Sequence, residues 1–212
     1  MTTTARSGDA PRSRLHGVYA LIDPARCEPV AFTEAILRGG IRLVQIRAKA
    51  GIDAATLLAI VNRVRAAGGL ALVNDDIRLA QLADGVHLGQ EDAAGLDLRQ
   101  LRIGLSGRII GLSCGTPAEA RAADPALVDY VGVGPVFATG SKGDAGLPIG
   151  LSGTRAVVEA TPLPCAAIGG LTRATIGRVR ETGAAMAAVI SALAIDDPEA
   201  DARALVAAWE AG

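Results

Sequence analysis

Eight short runs of β-branched and aliphatic residues are spread along this sequence. Polar or glycine turns followed by helical patterns separate them. The runs fall at 18–23, 42–47, 70–75, 84–89, 108–113, 129–136, 164–170 and 187–192. Strands that alternate with helices build βαβ units and hence a parallel sheet. Eight such units predict a closed (β/α)8 barrel, the TIM barrel. The 212 residues lie near the low end of that fold's size and leave little room for a second domain. An open doubly wound sheet would use fewer strands and place G-x-G-x-x-G after the first. Here the first run is followed by Asp23-Pro24-Ala25-Arg26-Cys27-Glu28-Pro29. Between runs, Leu57, Ile60, Val61 and Val64 mark one buried helical face, with Asp53 as N-cap and Gly68-Gly69 as stop. A later helix is expected to run to Arg180 with Thr172 as its cap, and a last one, with Pro198 in its first turn, to end near Trp209.

Half of the residues are hydrophobic but only 2% are aromatic, so the core must be built from Ala, Val, Leu and Ile. The 21 Lys and Arg nearly balance the 22 Asp and Glu. That balance excludes the basic footprint of a nucleic-acid binder and gives no attraction to an anionic membrane. No apolar run approaches the roughly 18 residues that cross a bilayer. Cys27, Cys114 and Cys165 are too far apart for a metal knuckle or a disulfide framework, and read as small buried thiols in a reducing cytoplasm. Residues 1–14 read as a polar, disordered tail without a secretory signal, and 15–212 as the single catalytic barrel. Assembly into a homo-oligomer is left open.

In a barrel, chemistry sits where strands end and in the loops that follow. The second run ends in Gln45-Ile46-Arg47-Ala48-Lys49, where Gln45, Arg47 and Lys49 share one parity. The third ends in Asn74-Asp75-Asp76, the fourth in Gly89-Gln90-Glu91-Asp92 and the fifth in Ser113. The sixth runs into Thr139-Gly140-Ser141-Lys142, the seventh ends in Gly169-Gly170 and the eighth in Ile190-Ser191. Any one of these is ordinary for a strand end, and Asn-Asp is common turn chemistry. Together they are harder to explain as turns, because cations inside an aliphatic barrel are costly unless they bind something. Arg47, Lys49 and Lys142 suit an anion. Asp75 and Asp92 are hard oxygen ligands, and one or two carboxylates with substrate phosphate is the usual Mg²⁺ arrangement. The combination suits a diphosphate that is stabilised as it leaves. The turns after the seventh and eighth strands are where barrels hold a single phosphate. Two phosphate sites suggest a reaction that joins two phosphorylated small molecules.

His87 lies mid-run and is expected as an interior histidine rather than a base. No Ser-His-Asp or Cys-His set is visible, which disfavours acyl transfer. Glu119 is expected as a solvated helix residue, and Arg173, Arg178 and Arg180 as an exposed helix face.

These blocks resemble the thiamine-phosphate synthase family, also called thiamine-phosphate pyrophosphorylase. The resemblance runs from Tyr19-Ala20-Leu21-Ile22-Asp23 to Ser191. It is carried by the 39–49 block, by Ala83-Asp84-Gly85-Val86-His87-Leu88-Gly89-Gln90-Glu91-Asp92, by Thr139-Gly140-Ser141-Lys142 with Pro148-Ile149-Gly150-Leu151, by the 167–172 block and by Val189-Ile190-Ser191-Ala192. It implies a (β/α)8 barrel that joins an aminopyrimidine diphosphate to a thiazole monophosphate with Mg²⁺, giving thiamine phosphate and diphosphate. Carried over by position, Gln45, Arg47, Lys49, Asn74, Ser113 and Lys142 would hold the pyrimidine diphosphate, with Lys142, Arg47 and Ser113 the catalytic groups. Asp75 and Asp92 would bind Mg²⁺. Thr139, Ser141, Gly170, Ile190 and Ser191 would hold the thiazole phosphate. Two departures stand out. The family's S-x-H reads Ser113-Cys114-Gly115 here, which argues against the related thiazole tautomerases, whose catalytic histidine it lacks. The family's G-A-D-G reads Gly183-Ala184-Ala185-Met186. The competing expectations are a non-catalytic relative that binds a thiamine-related phosphate, and another phosphate-binding barrel enzyme such as an isomerase.

Overall fold

A computed structural model describes residues 12–140, 146–193 and 196–212. Eight parallel strands close into a barrel in sequence order: β1 (Gly17–Ile22), β2 (Leu43–Ile46), β3 (Leu70–Asn74), β4 (Gly85–Leu88), β5 (Ile109–Cys114), β6 (Tyr130–Val133), β7 (Cys165–Ile168) and β8 (Met186–Val189). Tyr19 of β1 faces Leu43 on one side and Ala188 on the other, so the first and last strands complete the ring. Each strand lies within or overlaps one of the eight expected runs.

Period two divides the strand residues between two cores. Val18, Ala20, Ile22, Val44, Ile46, Val73 and Val86 point outward and pack under the helices. Tyr19, Leu21, Leu72, Ile109, Tyr130, Ala166 and Met186 point inward and fill the barrel. The helices are α1 (Pro29–Arg38), α2 (Ala54–Ala66), α3 (Gln90–Ala94), α4 (Leu98–Gly104), α5 (Pro117–Ala122), α6 (Gly150–Val158), α7 (Ile176–Arg180) and α8 (Pro198–Glu210). Asp53 caps α2 by accepting from the Thr56 N–H at 2.9 Å, and Leu57, Ile60, Val61 and Val64 form its buried face. Asp197 caps α8 in the same way through the Ala200 N–H at 3.0 Å.

Several expectations are corrected. The β3–β4 connection carries only a 3₁₀ turn, Leu79–Gln81, because Asp76 accepts from the Arg78 and Leu79 N–H groups and turns the chain at once. α7 starts at Ile176, so Thr175 rather than Thr172 stands at its N-cap position, and the Thr172 side chain bonds to that of Thr175. Arg173, Arg178 and Arg180 are exposed as expected, but Arg173 lies in the turn before α7 and Arg180 is also anchored. It donates to the carbonyls of Trp209, Glu210 and Gly212 and lies over the Trp209 ring at 5.9 Å. Glu119 completes a capping box with Thr116.

Arg12 and Arg14, expected within a disordered tail, are held against the barrel. Arg12 Nε donates to Asp129 Oδ1 at 2.5 Å, and Arg102 Nη2 donates to Asp129 Oδ2 at 2.6 Å. The same carboxylate accepts the Ile110 N–H at 2.8 Å, so a buried charge is neutralised and hydrogen-bonded. Arg14 donates to the Gly68 carbonyl at 2.6 Å. Between the two arginines, Leu15 is only 3% exposed and packs into the inner core at the bottom of the barrel. Residues 1–11 lie outside the described residues. Truncating Leu15 removes a buried plug, so Leu15→Ala is expected to lower stability by about 2–4 kcal/mol in urea unfolding. A loss under about 0.5 kcal/mol, the range of surface changes, would show that the plug is not part of the core.

Candidate active site

The upper ends of the strands open onto a cavity of about 520 Å³. Its floor is polar, which an aliphatic barrel does not provide by default. Gln45 Nε2 donates to the Tyr19 hydroxyl at 2.9 Å, and that hydroxyl lies 3.0 Å from the Tyr130 hydroxyl. Tyr130 Oη lies 2.9 Å from His87 Nδ1, and His87 Nε2 lies 3.0 Å from Ser113 Oγ. One chain of contacts thus crosses the barrel from β2 to β5. The His87 and Tyr130 rings stack with centroids 5.4 Å apart. Two glycines admit these rings. A Cβ on Gly111 would stand 2.2 Å from the Tyr130 ring, and one on Gly132 would stand 2.9 Å from His87. Burial pushes both tyrosine hydroxyls well above their ordinary pKa, so both keep their protons.

The β2–β4 side of the mouth carries the charge. Asp75 is the one non-glycine residue with positive φ among the described residues, at 60°, a conformation Asp tolerates better than most side chains. Its N–H bonds to the His87 carbonyl at 2.9 Å, which extends the β3–β4 pairing past Asn74. That turn directs the Asp75 carboxylate to the Gly89 N–H, 3.1 Å away, and Asn74 Nδ2 donates to its other oxygen. Burial, and then the neighbouring Asp92 carboxylate, raise the Asp75 pKa, while the Gly89 N–H and Arg47 oppose the rise. Two carboxylates held this close are a fitting donor set for a divalent cation. Among the described residues no group of three or more His, Cys, Asp or Glu side chains could hold a metal. An ion here would take its remaining ligands from substrate and water, as Mg²⁺ does. Arg47 and Lys49 line the same wall.

The opposite side is shaped by backbone. Gly169 and Gly170 have φ of +104° and +64°. A Cβ on Gly169 would meet Pro135 at 2.6 Å, and one on Gly170 would meet the Ala138 carbonyl at 2.5 Å. Only glycine lets this turn lie against the 135–138 segment. The Phe137 N–H bonds to the Gly169 carbonyl at 3.0 Å, so the strand-six exit is held beside the strand-seven exit. Thr139, Gly170, Ile190 and Ser191 line this side.

The structure therefore gathers Gln45, Arg47, Lys49, Asn74, Asp75, Asp92, Ser113, Thr139, Gly170, Ile190 and Ser191 around one cavity. Ser141 and Lys142 lie outside the described residues. Sequence reasoning missed Tyr19, Tyr130 and Gln90, whose side-chain amide donates to the Ser113 carbonyl. A usable signal existed for the tyrosines. They are the only two in the chain, and both stand at inward positions of strands. His87 is an interior histidine with both ring nitrogens engaged, as expected.

The thiamine monophosphate synthase family matches residues 18–193. A thiamine-phosphate synthase from Anaeromyxobacter dehalogenans is 42% identical over 206 residues, covering 95% of this chain and 91% of its own. A thiamine biosynthesis bifunctional protein from Symbiobacterium thermophilum is 44% identical over 203 residues. The match covers 92% of this chain but only 41% of that longer protein. Among solved structures, a thiamine phosphate pyrophosphorylase from Pyrococcus furiosus superposes with a TM-score of 0.82 at 30% identity, covering 95% of this chain and 98% of that one. A match over most of the barrel, together with relatives of this identity, makes the chain a transferase that belongs to the thiamine monophosphate synthase family.

Proposed function

We propose that this chain joins 4-amino-2-methyl-5-(diphosphooxymethyl)pyrimidine to thiazole phosphate, giving thiamine phosphate and diphosphate in a Mg²⁺-dependent reaction. The observation that carries the reading is the division of one cavity. An acidic pair with Arg47 and Lys49 stands on one side, and the Gly169–Gly170 turn stands on the other. A single phosphate would not need both.

Arg47 and Lys49, with Lys142 assigned from the sequence, bind the diphosphate oxygens as fixed cations. Gln45, Asn74 and Ser113 orient the pyrimidine end and its first phosphate. Asp75 and Asp92 would hold Mg²⁺, whose chemistry is to offset charge on the departing diphosphate. The bond from the methylene carbon to the diphosphate oxygen breaks, and its electron pair leaves with diphosphate. Donation from the pyrimidine amino group supports the positive methylene carbon. Thr139, Gly170, Ile190 and Ser191, with Ser141 from the sequence, hold the thiazole phosphate so that the thiazole nitrogen faces that carbon and forms the new bond. Leu21, Ala166, Ile168 and Ala188 line the cavity and limit the water that would compete for the cation. The work is positioning and electrostatics, so no general base is required. The free thiols suit a reducing cytoplasmic setting.

The direct test supplies both substrates and Mg²⁺ to purified protein. Thiamine phosphate and diphosphate are expected in equal amounts, with none formed in chelator. A folded protein that binds both substrates and forms no product would contradict the reading and leave a binding function.

Asp92→Asn removes one member of the acidic pair. Turnover is expected to fall about a hundredfold or more, while the melting temperature in chelator rises because the repulsion with Asp75 is relieved. Normal turnover would remove Asp92 from the metal site. Gly115→His restores the family's usual residue. The nearest atom to a Cβ there is Glu119 Oε2 at 3.6 Å, an ordinary contact, so the variant is expected to fold. Gly115 lines the cavity, but no other atom lies within 4 Å of that Cβ, so turnover should stay within about threefold. A loss beyond tenfold would show that the cavity depends on position 115 being without a side chain.

A further inference from the structure

The order of donors and acceptors along the cavity floor has a consequence for Ser113. Each hydroxyl has one hydrogen to give, and a neutral imidazole has one donor nitrogen and one acceptor. Gln45 Nε2 can only donate, so the Tyr19 oxygen accepts there. The Tyr19 residue is 2% exposed, and Tyr130 Oη is the other polar atom within hydrogen-bond distance of its hydroxyl. The Tyr19 hydrogen must therefore go to Tyr130, since an orphaned buried donor is costly. Tyr130, fully buried, then gives its own hydrogen to His87 Nδ1. That leaves His87 with its hydrogen on Nε2, which donates to Ser113 Oγ. The Ser113 hydrogen is not spent on the histidine. A protonated imidazole would reverse the Tyr130 bond and leave the Tyr19 hydrogen without a partner. Reversing the Gln45 amide would reverse every link, and Ser113 would then give its hydrogen to His87 and show only lone pairs to the cavity.

We propose that this one-way chain from Gln45 through Tyr19, Tyr130 and His87 holds the Ser113 hydroxyl as a hydrogen-bond donor into the cavity, so that Tyr130 and His87 are positioning residues for a phosphate oxygen of the diphosphate. The proposal rests on the reading of this cavity as a diphosphate site. Its sign matters because an anionic oxygen is attracted by a hydroxyl hydrogen and repelled by hydroxyl lone pairs. His87 acts through Ser113 and exchanges no proton with substrate.

The chain contains only two histidines, and His16 is exposed on the bottom of the barrel, so the ring nitrogens of the two can be resolved. Long-range ¹H–¹⁵N correlation on ¹⁵N-histidine-labelled full-length protein reads the tautomer directly. His87 is expected as the neutral Nε2–H form. An Nδ1–H tautomer or a doubly protonated ring would overturn the proposal.

The second measurement is calorimetric binding of inorganic diphosphate with Mg²⁺ to the wild type and two variants. His87→Gln can still donate to Ser113 from its amide, whereas His87→Leu cannot. Binding is expected to stay within about threefold in His87→Gln and to weaken about tenfold in His87→Leu, the weight of one hydrogen bond to a charged group. Equal weakening in both, or no binding to the wild type, would overturn it. Tyr130→Phe keeps the stacked ring and removes only the hydroxyl. It replaces His87→Leu if that variant does not fold, and it is expected to weaken binding in the same direction; unchanged binding would count against the chain. Neither measurement uses turnover. A protein with the expected tautomer and binding pattern that forms no thiamine phosphate would refute the proposed reaction and leave this chain standing.

Discussion

Closing a parallel sheet on itself is the constraint from which the rest of this molecule follows. A closed barrel has no edge strand, and parallel pairing forces all eight strands to end on one rim. Side chains that are far apart in the sequence are thereby brought to one cavity. Gln45 and Ile190 belong to strand ends separated by most of the chain, yet both line it. The rim is where residues are free to be polar, because packing is already supplied by the aliphatic layer beneath the helices and by the inner core below. The opposite end is closed by Leu15 and by the Asp129 carboxylate between Arg12 and Arg102. One end is thus spent on stability and the other on chemistry.

The cavity combines two kinds of cost. Charges meet at its mouth, where Asp75 takes a left-handed backbone conformation and faces a second carboxylate. Polar rings sit on its floor, where glycines at 111 and 132 give up their own packing to admit Tyr130 and His87. Features of this kind reduce stability and persist where they serve a site. Here both point the same way. On the reading proposed above, the mouth gathers cations and an acidic pair to receive a diphosphate, and the floor sets the direction of the hydrogen bonds offered to it.

Much of the fold was legible in the sequence because strand and helix periods differ, and glycine or polar turns separate them cleanly. The parity of Gln45, Arg47 and Lys49 puts them on one face from the sequence alone, and the structure places all three on the cavity wall. Legibility failed where an interaction depends on distant partners. His87 could be read as an interior histidine, but its contacts with Tyr130 and Ser113 require the registers of three strands and the empty positions at Gly111 and Gly132. The β3–β4 connection escaped the βα rule because Asp76 ends it locally. Arg12 looked like part of a polar tail, since nothing in its neighbourhood announces Asp129 so much later in the chain.

The central claim is that one cavity holds a diphosphate on its β2–β4 side and a monophosphate on its β7–β8 side. The most direct measurement is a crystal structure of the protein with Mg²⁺, diphosphate and thiamine phosphate bound together. The account predicts diphosphate against Arg47 and Lys49, an ion between it and the Asp75–Asp92 pair, and the thiamine phosphate group against Gly170 and Ser191. Diphosphate seated at the Gly169–Gly170 turn, or both products crowded on one side, would contradict it.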